Sequence, residues 1–411
     1  MKISPGCERF DLQPKGSMAP HNTVLSLLDL NPRKYGSLEE YMVRISDSLR
    51  ARDCRSVVAF PEEVPPFLSE KFQEAGAIIE RMASEGTQLY KDYRRLLRTY
   101  RPDIAHFHFY NQFSFLPLYS AILQPSATIL FTDHSRLPIE RALTHAKCSL
   151  WDRFILGPLK VKTFGVSGHV KYILEKNYGM TPRHVGVLFN GVNVSRFAVR
   201  SPQMRAALFT EFGIGPEEKL LVAAGYFIRE KGFSYLLKAM ARIRELRDDV
   251  HLILVGDGPA ESELKVETDQ LNLNDRVHFA GLRLDVDRFM SASDAVIVPS
   301  IWQEPAGLVV VEAMATGRPV IASRVGGIPE YLEDQTCGLL VPPCDPVPLA
   351  DGILKILRDP ELADSMGKAG RKRAERLFSM EKWVDDTIAI YESTMSRRQP
   401  HSEMQSETVG R

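Results

Sequence analysis

Two glutamates, Glu304 and Glu312, stand in the segment SIWQEPAGLVVVEAMATGRP, residues 300–319, with seven residues between them. An apolar run ends at Pro299, Pro305-Ala306-Gly307 makes a turn, and residues 308–316 are apolar on every side except at Glu312. Gly317 and Pro319 then stop the helix. An acid in an otherwise buried helix is costly unless hydrogen-bonded, so Glu312 needs donors, and sugar hydroxyls such as those of a nucleotide's ribose would supply them. Glu304 sits where a strand gives way to a helix, the edge at which open α/β sheets bind ligands. The backbone N–H groups of Gly307 and its neighbours Ala306 and Leu308 carry partial positive charge there, which favours phosphate. A pair of glutamates in isolation would more often be two solvated side chains. The residues around this pair reverse that.

A second piece is GYFIREKG, residues 225–232, which follows a strand-like run. A lysine beside a glycine at a strand end can meet a diphosphate as a point charge and neutralise a departing nucleotide, and Lys231 is the residue for that role. Gly225 opens the same loop. Gly256-Asp257-Gly258-Pro259 follows another strand; Gly256 and Gly258 serve a tight turn into a helix, or let a ligand approach the backbone. The spacing is not that of a dinucleotide fingerprint. Asp285 and Asp287, one residue apart, could hold a metal-bound diphosphate, but they precede Phe289-Met290 and read better as a helix cap. His106 and His108 flank Phe107 at a strand end and are expected on alternate sides, so that one faces a ligand; no third ligand accompanies them, and a metal site is not expected.

These groups need elements to position them. The 411 residues suggest two domains, possibly three. Lysine plus arginine and aspartate plus glutamate each number 52, so no global field recruits nucleic acid. Five cysteines without metal-type pairing fit a reducing cytoplasm. Residues 1–21 hold Pro5, Pro14 and Pro20 without an apolar core, so no secretory signal is expected, and no stretch is apolar for the roughly 18 residues that a membrane span requires. Strands are expected at 23–30, 56–60, 104–107, 127–132 and 163–166, and, after a restart beyond Asn190, at 219–224, 251–255, 276–279, 295–299 and 319–323. Helices are expected between them, among others at 38–50, 233–246 and 260–270. Alternation of this kind means parallel, doubly wound sheets, two Rossmann-like units facing each other across a hinge near residues 190–202. The expected division is a flexible segment 1–21, a first domain 22–195, a second 196–378, a last helix 379–396 and a polar tail 397–411. Residues 90–101 form a helix with an apolar stripe, Tyr93, Leu96, Leu97 and Tyr100, opposite a basic one. It either lies on a membrane or packs on the sheet with its charges solvated. Basic residues between 136 and 171 keep a peripheral membrane contact, at the inner face, open.

The run SDAVIVPS, residues 293–300, then EPAGL at 304–308, EAMA at 312–315 and GGIPE at 326–330, resembles the donor-site signature of the retaining glycosyltransferases of family four, two-domain enzymes of the GT-B architecture. The resemblance implies a nucleotide-sugar donor as substrate, no cofactor and no metal. It implies same-face attack with the leaving phosphate helping to deprotonate the acceptor, and Glu304 orienting the donor sugar. It places Gly281 and Leu282 at the nucleoside base. An arginine usual after the first glycine is here Tyr226, so that Arg229 reaches in instead, or Lys231 and backbone amides carry the diphosphate. In the first domain, Gly36 and Ser37 resemble the family's glycine-glycine loop with serine in second place, and His134, in TDHS, resembles its histidine near the transferred sugar. The last helix is implied to cross back to the first domain. The acceptor, a glycan, a lipid-linked sugar or a small molecule, is not specified; residues 111–123 and 135–158 carry no recognisable chemistry for it. A sugar-nucleotide epimerase of the same architecture, or a degenerate sugar-nucleotide-binding subunit, is the alternative.

Overall fold

The computed structural model describes residues 21–32, 35–134, 145–197 and 201–396. The expected N-terminal segment up to residue 20, the tail from 397 and the first ten residues of the 135–158 stretch lie outside the described residues. The chain divides into two units, one comprising residues up to Phe189 together with those from Trp383 onward, the other Asn190–Lys382.

The first unit alternates β1 (Thr23–Leu28), α1 (Ser37–Arg50), β2 (Arg55–Phe60), α2 (Pro66–Glu74), β3 (Ala77–Arg81), α3 (Gly86–Tyr100), β4 (Ile104–His108), α4 (Leu116–Leu123), β5 (Thr128–Asp133), α5 (His145–Trp151), β6 (Lys162–Gly165), α6 (Gly168–Lys176) and β7 (Val185–Val187). A π-helical turn, Asp152–Leu156, prolongs α5. All seven strands are parallel, in the order β3-β2-β1-β4-β5-β6-β7. β1 and β4 are buried along their whole length, as strands covered on both faces must be. The apolar stripe of α3, Leu89, Tyr93, Leu96 and Leu97, is buried, and Tyr93 packs edge-on against Phe107 of β4. The apolar stripe of residues 90–101 therefore packs on the sheet, with the basic side chains on the opposite face.

The second unit runs α7 (Pro202–Phe212), β8 (Lys219–Ala224), α8 (Phe233–Arg244), β9 (Val250–Val255), α9 (Glu261–Gln270), β10 (Val277–Gly281), α10 (Val286–Ala292), β11 (Ala295–Val298), α11 (Leu308–Ala315), β12 (Val320–Ser323), α12 (Ile328–Tyr331), β13 (Gly338–Val341), α13 (Pro346–Arg358) and α14 (Pro360–Leu377). Its parallel sheet has the order β10-β9-β8-β11-β12-β13. Leu221, Leu252, Leu254, Ile297 and Ile321 from neighbouring strands meet Leu236, Met240 and Ile353 of α8 and α13 in one core. The last helix, α15 (Met380–Ser396), belongs to the first unit from Trp383. There Trp383 stacks on Tyr41 with centroids 3.8 Å apart, and Thr387 Oγ1 lies 2.7 Å from the Tyr41 hydroxyl.

Candidate functional site

In both sheets the first strand of the unit has the second strand on one side and the fourth on the other, so successive connections diverge from that point. Loops at the carboxyl ends of those two strands leave a crevice between them. In the second unit the two strands are β8 and β11, and their loops carry Lys231 and Glu304.

The contact between them is built from backbone outward. A 3-10 turn, Arg229–Lys231, follows β8, and the Ile301 N–H just beyond β11 donates to the Glu230 carbonyl at 2.9 Å. Gly232 holds a φ of +71°, and a β-carbon there would run into the Pro299 carbonyl. Glycine therefore lets the two loops close on each other. With the loops in place, the Lys231 ammonium donates to Glu304 Oε1 at 2.6 Å and the Ser300 hydroxyl donates to the same oxygen at 2.7 Å. Among the described residues Oε2 accepts from none. The loop after β12 closes the third side: the Gly327 N–H donates to the Glu304 carbonyl at 2.7 Å, and the Gly326 N–H to the Gln303 side chain at 2.9 Å. Gly326, with φ of +53°, lies so close that a β-carbon would overlap the Glu304 backbone. The Glu304 side chain is a tenth exposed and that of Lys231 a quarter, so the pair is only partly screened by water. An ammonium has three donors, of which this contact uses one.

Gly307 is buried and stands at the N-cap of α11 without any side chain capping the helix. The first N–H groups of α11 thus lack an intrahelical acceptor, beside half-buried Ala306 and Leu308. Glu312 is half-buried on α11, and its carbonyl accepts from Thr316 N–H at 3.3 Å. Gly225, Gly256 and Gly281 end β8, β9 and β10 in register: the Gly225 N–H donates to Val255 at 3.0 Å and the Gly256 N–H to Gly281 at 2.9 Å. Gly256 lies against the Gly225 carbonyl and Gly258 against the Phe227 backbone, so the packing of their own turns accounts for both. Leu282 and Tyr226 are exposed. Arg229 does not reach inward: its exposed guanidinium pairs with Glu263 of α9 at 3.2 Å. Asp285 occupies the N-cap position of α10 but caps nothing with its side chain; Arg283 takes the carboxylate at 2.9 Å from two nitrogens and holds its pKa down at about 2.

In the first unit, Gly36 is the N-cap of α1 and Ser37 its first residue. The Gly36 N–H donates to the Glu39 carboxylate at 3.0 Å, so this amide serves the helix. His134 follows β5. Phe109 stacks on its ring with centroids 4.2 Å apart, and His108 Nδ1 lies 3.4 Å from its Nε2. His106 and His108 share one face of β4, their rings 4.1 Å apart, which corrects the expectation of alternate sides. Alternation has period two, so residues i and i+2 point the same way. His106 bonds Tyr391 and Thr132, each at 2.8 Å. Burial pushes its pKa down to about 3 and that of His108 well below the ordinary value.

Sequence reasoning identified Lys231 and Glu304 but left Ser300, Gln303, Gly326 and Gly327 without roles. Their signal was present, because Ser300, Gly326 and Gly327 stand in the quoted motif and only their function was unread.

A parallel sheet of Rossmann order in each unit, with a lysine and a glutamate joined at the switch point of the second, defines a doubly wound α/β protein of two similar halves. Residues 38–196 match the model of Glycosyltransferase Family 4, and residues 204–373 that of Glycosyl transferases group 1. The chain belongs to glycosyltransferase family four and has the GT-B fold. It is 36% identical over 181 residues, 44% of this chain and 47% of the relative, to N-acetyl-alpha-D-glucosaminyl L-malate synthase of Bacillus anthracis. It is 32% identical over 228 residues, 54% of this chain and 50% of the relative, to D-inositol 3-phosphate glycosyltransferase of Segniliparus rotundus. The match thus spans about half the length of these relatives. Among solved structures, Anabaena HepE in complex with UDP superposes with a TM-score of 0.74 at 22% identity, covering 91% of this chain and all of the other.

Proposed function

We propose that the protein transfers a sugar from a nucleotide-sugar donor to an acceptor with retention of anomeric configuration and without a metal. The observation that carries this reading is the Lys231–Glu304 contact at the switch point of the second sheet. Lys231 and the N–H groups at the start of α11 receive the diphosphate. Glu304, with Oε2 open to accept, orients hydroxyls of the donor sugar, and Glu312 takes the ribose hydroxyls. Breaking the sugar–phosphate bond leaves negative charge on the diphosphate, and an ammonium already held in position stabilises it without reorganising. A fixed cation at that point is what supports a metal-free reaction. Same-face attack, with the leaving phosphate deprotonating the acceptor, gives Glu304 no nucleophilic part. In the first unit, His134, steadied by Phe109 and His108, is a further group suited to bonding a sugar hydroxyl.

The UDP held by HepE and the sugar-transferring names of the relatives support a nucleoside diphosphate sugar as donor. Those relatives are named for different products, so the acceptor is a property of each member. Cys54, Cys148 and Cys337 are buried cysteines and Cys344 an exposed one, which supports a reducing, cytoplasmic setting. Among the described residues no helix is long and apolar enough to cross a membrane.

A thermal-shift screen across uridine, guanosine and adenosine diphosphates and their sugars tests this reading. A ligand that binds the folded state raises the melting temperature by mass action, and one base is expected to do so alone. No response to any of them would refute the proposal.

A further inference from the structure

Right-handed crossovers place α3, α4 and α5 on the same side of the first sheet. They form one layer: Tyr93 of α3 bonds Ser120 of α4 at 2.6 Å, and Phe115 at the head of α4 meets Trp151 of α5 edge-on at 5.5 Å. The outward face of this layer differs from an ordinary protein surface in two respects.

Its centre is apolar. α4 contains no charged residue, and while Leu116, Pro117 and Ser120 are buried, Phe115 and Ile122, seven residues apart and so on one helical face, are 62% and 74% exposed. On the neighbouring helix Cys148, Asp152 and Leu156 are buried and Leu150 and Phe154, four apart, point outward at 55% and 63% exposed. Isolated exposed apolar residues are commonplace, but four large ones on two adjoining helices make a patch.

Its border is basic. Lys91, Arg94 and Arg98 line the outward face of α3, opposite the buried stripe, and Lys147 and Arg153 flank Leu150 and Phe154. The only acids in these helices are Asp92 and Asp152. Asp92 is engaged by Ala83 N–H and Gln88, and Asp152 is buried against Thr181 and His184. The chain as a whole carries no net charge, so this positive excess is local.

We infer that this layer seats the protein on an anionic lipid bilayer, with Phe115, Ile122, Leu150 and Phe154 entering the headgroup boundary and the cations lying against lipid phosphates. Apolar side chains flanked by cations on helices lying flat are the composition of an interfacial surface. A second copy of the chain would bring two positive borders together and is disfavoured for that reason. The amphipathic character legible in residues 90–101 is here divided: α3 supplies the charge, its own apolar stripe faces the sheet, and α4 supplies the apolar part.

Sedimentation of the full chain with vesicles tests this. Binding to vesicles of phosphatidylcholine mixed with phosphatidylglycerol is expected to exceed binding to phosphatidylcholine alone by about tenfold or more, and to weaken as salt is raised. The triple variant Phe115→Ser, Ile122→Ser, Phe154→Ser and the triple variant Lys91→Glu, Arg94→Glu, Arg98→Glu are each expected to lose about tenfold in partitioning. The second replaces only exposed side chains, so it remains informative if the first unfolds; unchanged melting temperature and unchanged nucleotide response are the controls. Equal binding to both vesicle types, or undiminished binding by the charge-reversed variant, would overturn the inference. So would light scattering that finds a dimer which the charge-reversed variant loses, since the surface would then belong to a second copy.

Discussion

At the scale of single residues, the proposed donor chemistry converges on Glu304, whose Oε1 receives both Lys231 and Ser300. In the proposed reaction, replacing Lys231 with alanine removes the cation that would meet the leaving diphosphate and leaves Glu304 without its counter-charge, so turnover is expected to fall at least about tenfold, or about 1.4 kcal/mol of transition-state stabilisation. Glu312→Gln, measured in the same steady-state assay, is expected to lose a similar factor. Wild-type rates from a folded Lys231→Ala protein would remove the lysine from the mechanism. A different residue-scale effect comes from His106 and His108, fully buried and neutral, with Tyr391, Thr132 and His134 about them. A histidine whose folded pKa is depressed gives the unfolded chain more protons below the ordinary value of 6.5, so the stability it permits is full above that pH and is lost as pH falls from 6.5 toward about 3. Between pH 6.5 and 5 His106 alone is expected to cost about 2 kcal/mol of stability, measured by denaturant unfolding at both pH values. His106→Asn should show a shallower decline than wild type over that window, despite a lower starting value.

At the scale of elements, the site is made by three loops at the carboxyl edge of one sheet, after β8, β11 and β12. Their closeness depends on glycine at two points. Gly326→Ala would press a methyl group into the Glu304 backbone at a left-handed φ, with an expected loss of about 1–3 kcal/mol in stability. Because that backbone also carries the carboxylate, Gly326→Ala should raise the donor KM as well, while Gly213→Ala, at a left-handed φ with open space around it, should affect stability alone. Thermal melting and donor saturation curves on both variants separate the two effects. Much of this arrangement was legible beforehand, since Lys231 and Glu304 each follow an apolar run and precede a helix. The pairing was not, because it depends on β8 and β11 being neighbours, and strand order is written in no local pattern. The short strands β3, β7 and β13 also escaped sequence reading: three to five residues carry too little periodicity, and the side chains of β3 are only partly buried. The Asp285 cap failed for a local reason, since Arg283 two residues earlier binds the carboxylate more strongly than a backbone N–H could.

At the scale of the whole molecule, one fold is used twice with unlike surfaces. The second unit joins Lys231 and Glu304 at its switch point; the first places a stacked histidine at the carboxyl edge and a basic, apolar helix layer on one side. Composition alone excluded partners drawn by net charge, yet local excess survived within a chain of balanced charge, and only the packing of α3 against α4 shows where it lies. The proposed reaction turns on Lys231 of the second unit binding the donor's diphosphate. Isothermal titration of the stabilising nucleoside diphosphate into wild type and Lys231→Ala tests it most directly: the variant is expected to bind about tenfold or more weakly, the loss of one charge-assisted contact. Equal affinity in a variant with unchanged secondary structure and intact cooperative melting would contradict it.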